Sequence, residues 1–139
     1  GKVRDDIKNY IHIQGVNNVY FHGNVDPERL SKELPQNHVF VFPSTLEGSA
    51  KVTYEALACG LPVITTPESG SIVRNGIDGY IINKGDEEAL CEAIKNLYEN
   101  EGLRYQMSLN ARERAEAYSW ERYAKTVWNM YKEIFNATN

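Results

Sequence analysis

Residues 39–66, VFVFPSTLEGSAKVTYEALACGLPVITT, decide the fold. Val39-Phe40-Val41-Phe42 is apolar on both faces, the pattern of a strand covered by helices on either side. Pro43-Ser44-Thr45 closes that strand, and a polar loop follows. Residues 50–59 (AKVTYEALAC) predict a helix that stops at Gly60 in the C′ position, with Pro62 just beyond. Val63-Ile64-Thr65-Thr66 predicts the next strand. Strands alternating with helices imply a parallel α/β sheet.

Working outward, the same signals recur. Residues 2–14 place Val3, Ile7, Tyr10 and Ile11 on one helical face with charges opposite, which predicts a surface helix. Asn17-Asn18 turns the chain into Val19-Tyr20-Phe21-His22, a β-branched and aromatic run closed by Gly23 that predicts a strand. Asp26-Pro27-Glu28 supplies a cap, a first-position proline and a first-turn acid, so a helix covers 27–34 and ends at Pro35. Downstream, Ile72-Val73-Arg74-Asn75 predicts one helical turn ended by Gly76, and Gly79 precedes a last strand, Tyr80-Ile81-Ile82. From Asp86 onward the signals are helical. Asp86 caps a helix reaching Tyr98, a second covers 102–117, and Ser119 caps a third. Trp120, Tyr123, Ala124, Val127, Trp128, Tyr131, Ile134 and Phe135 fall at helical spacing in it. Tyr123, Val127 and Ile134 are expected in the core, and some of Trp120, Trp128 and Phe135 on an exposed face.

With 139 residues, 42% hydrophobic and 24% charged, the chain has the size of one compact domain and the composition of neither a disordered nor a fibrous protein. Its net charge of −4 is scattered, so no basic stripe exists to bind nucleic acid. Cys59 and Cys91 have no second ligand at metal spacing and read as buried thiols in a reducing compartment. No apolar run reaches the about 18 residues of a membrane span, and the N-terminus is polar, so a cytoplasmic location is expected. Gly1-Lys2-Val3-Arg4 lacks an initiator Met and runs straight into a helical pattern, the expectation for a piece of a longer polypeptide.

In an open parallel sheet, ligands bind beyond the carboxyl ends of the strands. Ser44 to Ser49 is such a place. The amides of Gly48, Ser49 and Ala50 are expected to point outward unpaired at the start of the next helix, an anion or hydroxyl site. Glu47 lies in the loop and Glu55 about one and a half turns into the helix. That separates the carboxylates along one edge of a cleft, so they share no proton. A carboxylate that accepts two hydroxyls holds a diol, and one acid per sugar ring is a sensible division. Gly48, lacking Cβ, lets a ligand approach. The plainer alternatives are a loop acid without a ligand for Glu47, and a helix-surface acid or cap partner for Glu55. His22 reads as structural, and His12 and His38 are dispersed. Arg74 reads as paired with a local acid or solvated, while Asn75 and Asp78 serve turns.

The run Glu47-Gly48-Ser49 with Glu55-Ala56-Leu57-Ala58-Cys59-Gly60-Leu61-Pro62-Val63 resembles the E-x7-E motif of retaining GT-B glycosyltransferases of the "glycosyl transferases group 1" type. Gly70-Ser71, Val73 to Gly76 and Asp78 to Ile81 resemble that family's next segment, so the resemblance covers nearly the whole chain. It implies an α/β fold, a Rossmann-like parallel sheet with helices on both faces. This would be the C-terminal half of a GT-B enzyme, incomplete on its N-terminal side. The family's sheet would place two further strands, one loop of which carries a basic residue for the diphosphate, between Val19–His22 and Val39–Phe42. The C-terminal helices would occupy 86–137.

The resemblance also assigns roles. Glu47, the candidate catalytic-site acid, would face the donor sugar without acting as a covalent nucleophile, and the backbone of Gly48, Ser49 and Ala50 would bind sugar hydroxyls. Glu55 would take the ribose hydroxyls of the nucleotide, with Ser44 and Thr45 lining the cleft. Gly70 and Ser71 would close near sugar or phosphate. The pattern departs from many relatives at Ser49-Ala50-Lys51, where Lys51 is expected to be solvated rather than bound to phosphate. The implied reaction is hexosyl transfer from a nucleoside-diphosphate sugar to a saccharide or lipid-linked acceptor, with retention. No cofactor or metal is expected, and no Asp-x-Asp occurs. The implied partners are the nucleotide sugar and an N-terminal acceptor-binding domain. Peripheral association of the longer enzyme with the inner membrane surface, and self-association through exposed apolar surface, stay open. The chain alone is expected to transfer no sugar. A noncatalytic nucleotide-sugar-binding or scaffolding module is the alternative, and a related epimerase ranks below it.

Overall fold

A computed structural model describes residues 5–137, and the chain divides into two compact units after Glu33.

The first unit carries two helices, α1 (Asp5–Ile13) and α2 (Pro27–Glu33). Asp26 caps α2 as its sequence demands, its carboxylate accepting from the Arg29 amide at 2.9 Å. Neither helix buries a residue: Ile7 and Tyr10, half of the expected apolar face of α1, are exposed, and Val3 lies outside the described residues. The expected strand at Val19 to His22 does not form. A strand needs a neighbour to satisfy its amides and carbonyls, and none of the described residues supplies one. Arg29 contacts Glu33 at 2.6 Å and His22 Nδ1 at 3.3 Å, which gives His22 the structural role expected of it.

The second unit holds a three-stranded parallel sheet in the order β1 (Phe40–Phe42), β2 (Val63–Thr65), β3 (Gly79–Ile81). Phe40 pairs with Val63 and Val63 with Gly79, so the three carboxyl ends are level. Around the sheet lie α3 (Lys51–Ala58), α4 (Glu87–Glu99), α5 (Glu101–Glu116) and α6 (Trp120–Ala137). Central β2 is buried throughout, as a doubly covered strand should be. β1 is not: Val41 is 39% exposed, because β1 is an edge with no strand on its outer side among the described residues.

The core gathers Ile64, Ile82, Ala93, Leu97 and Met107 between sheet, α4 and α5. Leu57 on α3 is fully buried, a burial worth about 1.5–3 kcal/mol. Asp86 caps α4 by accepting from the Ala89 amide at 2.9 Å. The predicted helical turn at Ile72 to Asn75 does not form; residues 72–74 have no regular structure, and Asn75 bridges to Gly79. Its residues are claimed by the next turn. Fully buried Asp78 accepts from the Arg74 amide and from Arg74 Nε, each at 2.6 Å, and Asn75 Oδ1 accepts from the Ile81 amide at 2.9 Å. Gly79 belongs to β3 itself, since a Cβ there would collide with the Val63 backbone.

α6 forms where Ser119 predicts it, yet buries none of its residues. Tyr123 and Ile134, expected in the core, are each 63% exposed, and Val127 is half-buried. A helical stripe records only that a helix has an apolar face, and burial needs a surface to cover it. Trp120, Trp128 and Phe135 are exposed, as expected. Among the described residues no helix is long and apolar enough to cross a membrane.

Candidate functional site

The carboxyl ends of β1 and β2 are clipped together. Thr65 Oγ1 donates to the Phe42 carbonyl at 2.9 Å, and Thr66 Oγ1 donates to the Ser44 carbonyl. Beyond them the two strand-end loops run side by side. The Glu47 amide donates to the Glu68 carbonyl at 2.9 Å, and the Ala50 amide to the Ser69 carbonyl at 3.0 Å. Ser69 is buried and secures its own loop, donating to the Thr66 carbonyl at 2.8 Å and accepting from the Ser71 amide at 3.2 Å. Gly70 completes the seam. Its φ of 61° is left-handed, and a Cβ there would strike the Gly48 carbonyl.

This seam corrects one expectation. The amide of Ala50 is not free, and the residue is buried, because the neighbouring loop supplies its acceptor. The amides of Gly48 and Ser49 have no acceptor among the described residues. Around Gly48 a Cβ would meet nothing within 4 Å, so the space over this glycine is open. The Ser49 hydroxyl contacts the Tyr54 hydroxyl at 3.3 Å. Ser44 is half-buried, Thr45 is exposed, and Lys84 Nζ reaches the Thr45 carbonyl at 3.5 Å. Ser71 Oγ accepts from the Val73 amide at 3.4 Å.

Glu47 is exposed on the loop and Glu55 half-buried on α3, and among the described residues no hydrogen bond joins them. Glu55 has a neighbour that was expected only to be solvated. Lys51 is indeed 75% exposed, but its ammonium lies 3.1 Å from Glu55 Oε1 across one helical turn.

Glu55, Lys51 and Tyr54 form one wall of a cleft of about 930 Å³, within the size range of ligand pockets. The end of α5 and the start of α6 form the other. Arg112 there binds Glu116 at 3.1 Å and the Ala58 carbonyl, tying α5 to α3. Trp120 and Tyr123 meet edge to face at 5.9 Å. No local signal marks this wall, since it comes from residues more than fifty positions beyond the acids. Near its floor, burial pushes the Cys59 thiol above its usual range, opposed by Arg112 and reinforced by Glu55. A thiol held protonated is a poor nucleophile, so Cys59 is structural. Of the two thiols expected to be buried, Cys59 is half-buried and Cys91 is exposed, because the buried positions of α4 go to Ala93 and Leu97. Two separate carboxylates, two free amides and an open glycine at the ends of parallel strands can hold hydroxyls and anions.

The sequence pattern of the family described as "Glycosyl transferases group 1" matches residues 1–114. The capsular polysaccharide biosynthesis glycosyltransferase CapM of Staphylococcus aureus is 39% identical over 101 residues, 71% of this chain and 26% of that protein. Sucrose-phosphate synthase of Thermosynechococcus elongatus superposes with a TM-score of 0.83 at 29% identity, over 96% of this chain and 34% of its own. Anabaena HepE, solved in complex with UDP and glucose, shares the fold with a TM-score of 0.77 at 21% identity, over 96% of this chain and 36% of its own. The chain spans between 24% and 39% of the length of the curated relatives it matches.

Proposed function

The chain belongs to the glycosyl transferases group 1 family and carries part of its GT-B fold, and on that premise we propose that it is the donor-binding portion of a retaining glycosyltransferase. It serves transfer of a hexosyl group from a nucleoside-diphosphate sugar to a saccharide or lipid-linked acceptor. The observation that carries this reading is the placement of Glu55. It stands half-buried on the cleft wall, one helical segment beyond a loop whose Glu47, Gly48 and Ser49 offer a carboxylate and two unpaired amides. The ribose diol goes to Glu55 and the hexose to Glu47 and the amides of Gly48 and Ser49. Ala50 contributes by fixing the seam, its amide given to the Ser69 carbonyl rather than to the sugar. Ser44 and Thr45 border the nucleotide, while Gly70 and Ser71 back the sugar side.

The chain's share of catalysis is positional and electrostatic. Held at both rings, the donor presents its anomeric carbon in one orientation, and preset dipoles face the leaving group. Calorimetric titration with UDP, GDP and ADP tests the site. Saturable binding that Glu55→Ala weakens at least about tenfold is expected, the loss of a bidentate charged contact. Absence of saturable binding to any of the three would leave a scaffolding module as the better account. Retention is checked in the longer polypeptide by the anomeric configuration of the first-formed product.

A further inference from the structure

Lys51 stands midway between the two acids, four residues after Glu47 and four before Glu55. Its ammonium engages Glu55 Oε1 at 3.1 Å and lines the same cleft. A role for this lysine depends on the division of labour proposed above for those acids. A nucleoside-diphosphate sugar carries its two phosphates between ribose and hexose. With ribose on Glu55 and hexose at Glu47, the phosphates lie over the residues between the acids, and Lys51 is the cation among them in the chain. A diol engages both oxygens of the Glu55 carboxylate, and Lys51 already holds one acceptor site on Oε1, so the two compete there.

The pair is easily broken. Its side chains are 75% and 38% exposed, and exposed helical pairs are weakly held and screened by salt. The other cations of the cleft are placed differently. Arg112 is committed to Glu116 and the Ala58 carbonyl, and Arg122 sits on α6.

We propose that Lys51 is a donor-positioning residue that exchanges partners: the ribose hydroxyls take the Glu55 carboxylate from it, and its ammonium turns to the diphosphate. Without ligand, Lys51 neutralises Glu55. With ligand, it offsets one of the negative charges of the diphosphate.

The test pairs each nucleotide with its own nucleoside. UDP and uridine, GDP and guanosine, ADP and adenosine are titrated into the chain, and the pair that binds is repeated with Lys51→Gln and Lys51→Arg. Lys51→Gln is expected to weaken the diphosphate about fivefold, the loss of one exposed charge contact, and to reduce its salt dependence. Nucleoside affinity stays level or rises, because the competitor for Glu55 is gone. Lys51→Arg keeps the wild-type ratio. A ratio of diphosphate to nucleoside affinity unchanged in Lys51→Gln overturns the proposal, as does an equal loss for both ligands, which marks a merely structural role. If the unmodified chain binds neither ligand, the donor-site reading falls and this inference with it. Binding abolished by Glu55→Ala but indifferent to Lys51→Gln leaves the donor site standing and removes only Lys51.

Discussion

At Gly70 a left-handed backbone meets a neighbour that leaves no room for a side chain. Gly70→Ala therefore combines a conformational penalty with a collision against the Gly48 carbonyl, and a loss of at least about 2 kcal/mol in urea unfolding is expected. Gly48→Ala is its counterpart. Among the described residues, none beyond its chain neighbours lies within 4 Å of the added methyl, so stability should hold while donor-sugar binding falls, a split that melting and titration together detect. Asp78→Ala strips the Arg74 amide and guanidinium of their buried acceptor, at about 2 kcal/mol in the same unfolding assay. Cys59 gives a pH signature. Its folded thiol titrates above the unfolded one, so its stabilising contribution is intact at neutral pH and is lost as pH rises through the alkaline thiol range. Iodoacetamide should modify exposed Cys91 well before Cys59. The separation of Glu47 from Glu55, the pairing of Arg74 with a local acid and the cap at Asp86 are all legible in the sequence, because each depends on short-range spacing. The lost amide of Ala50 is not, since its acceptor, Ser69, arrives from another loop.

Among elements, α3 carries both the site and part of the core. Glu55 faces the cleft while Leu57 is fully buried, so one short helix transmits core damage to the site. Leu57→Ala is expected to cost about 3 kcal/mol and to lower affinity for whichever of UDP, GDP and ADP binds, measured by denaturation and titration on the same preparation. Helices are the readable elements, their caps and stops lying within a few residues of each other. Strands are readable where at least one neighbour exists. Val63 to Thr65 forms the central strand its composition announces, whereas Val19 to His22, of equal β character, lacks a ladder. Ile72 to Asn75 shows the opposite failure. A helical pattern is present, but Asp78 outcompetes the helix for the Arg74 amide.

Across the whole molecule, burial is unevenly shared. The helices of the first unit bury no residue, nor does α6, while β2 is buried at every position. Native-state hydrogen exchange should follow that division, with β2 amides protected close to the global stability and α1 amides exchanging orders of magnitude faster. Uniform protection would contradict it. The α/β class and the direction of the sheet are legible because alternation of strand and helix is a property of the chain as a string. The exposure of Tyr123 and Ile134 is not, because a stripe states what a helix can bury and never what meets it.

The seam between the loops at 44–50 and 66–71 also bears on how sugar preference can change. Glu47 and Ala50 hang from carbonyls of the second loop, and Gly70 leaves space for Gly48. The first loop depends on the second for the acceptors of its Glu47 and Ala50 amides, so substitutions on the two sides will be non-additive. On the donor-site reading proposed above, a new donor preference is expected to need both loops changed together, and swapping one loop by itself is expected to disturb the seam.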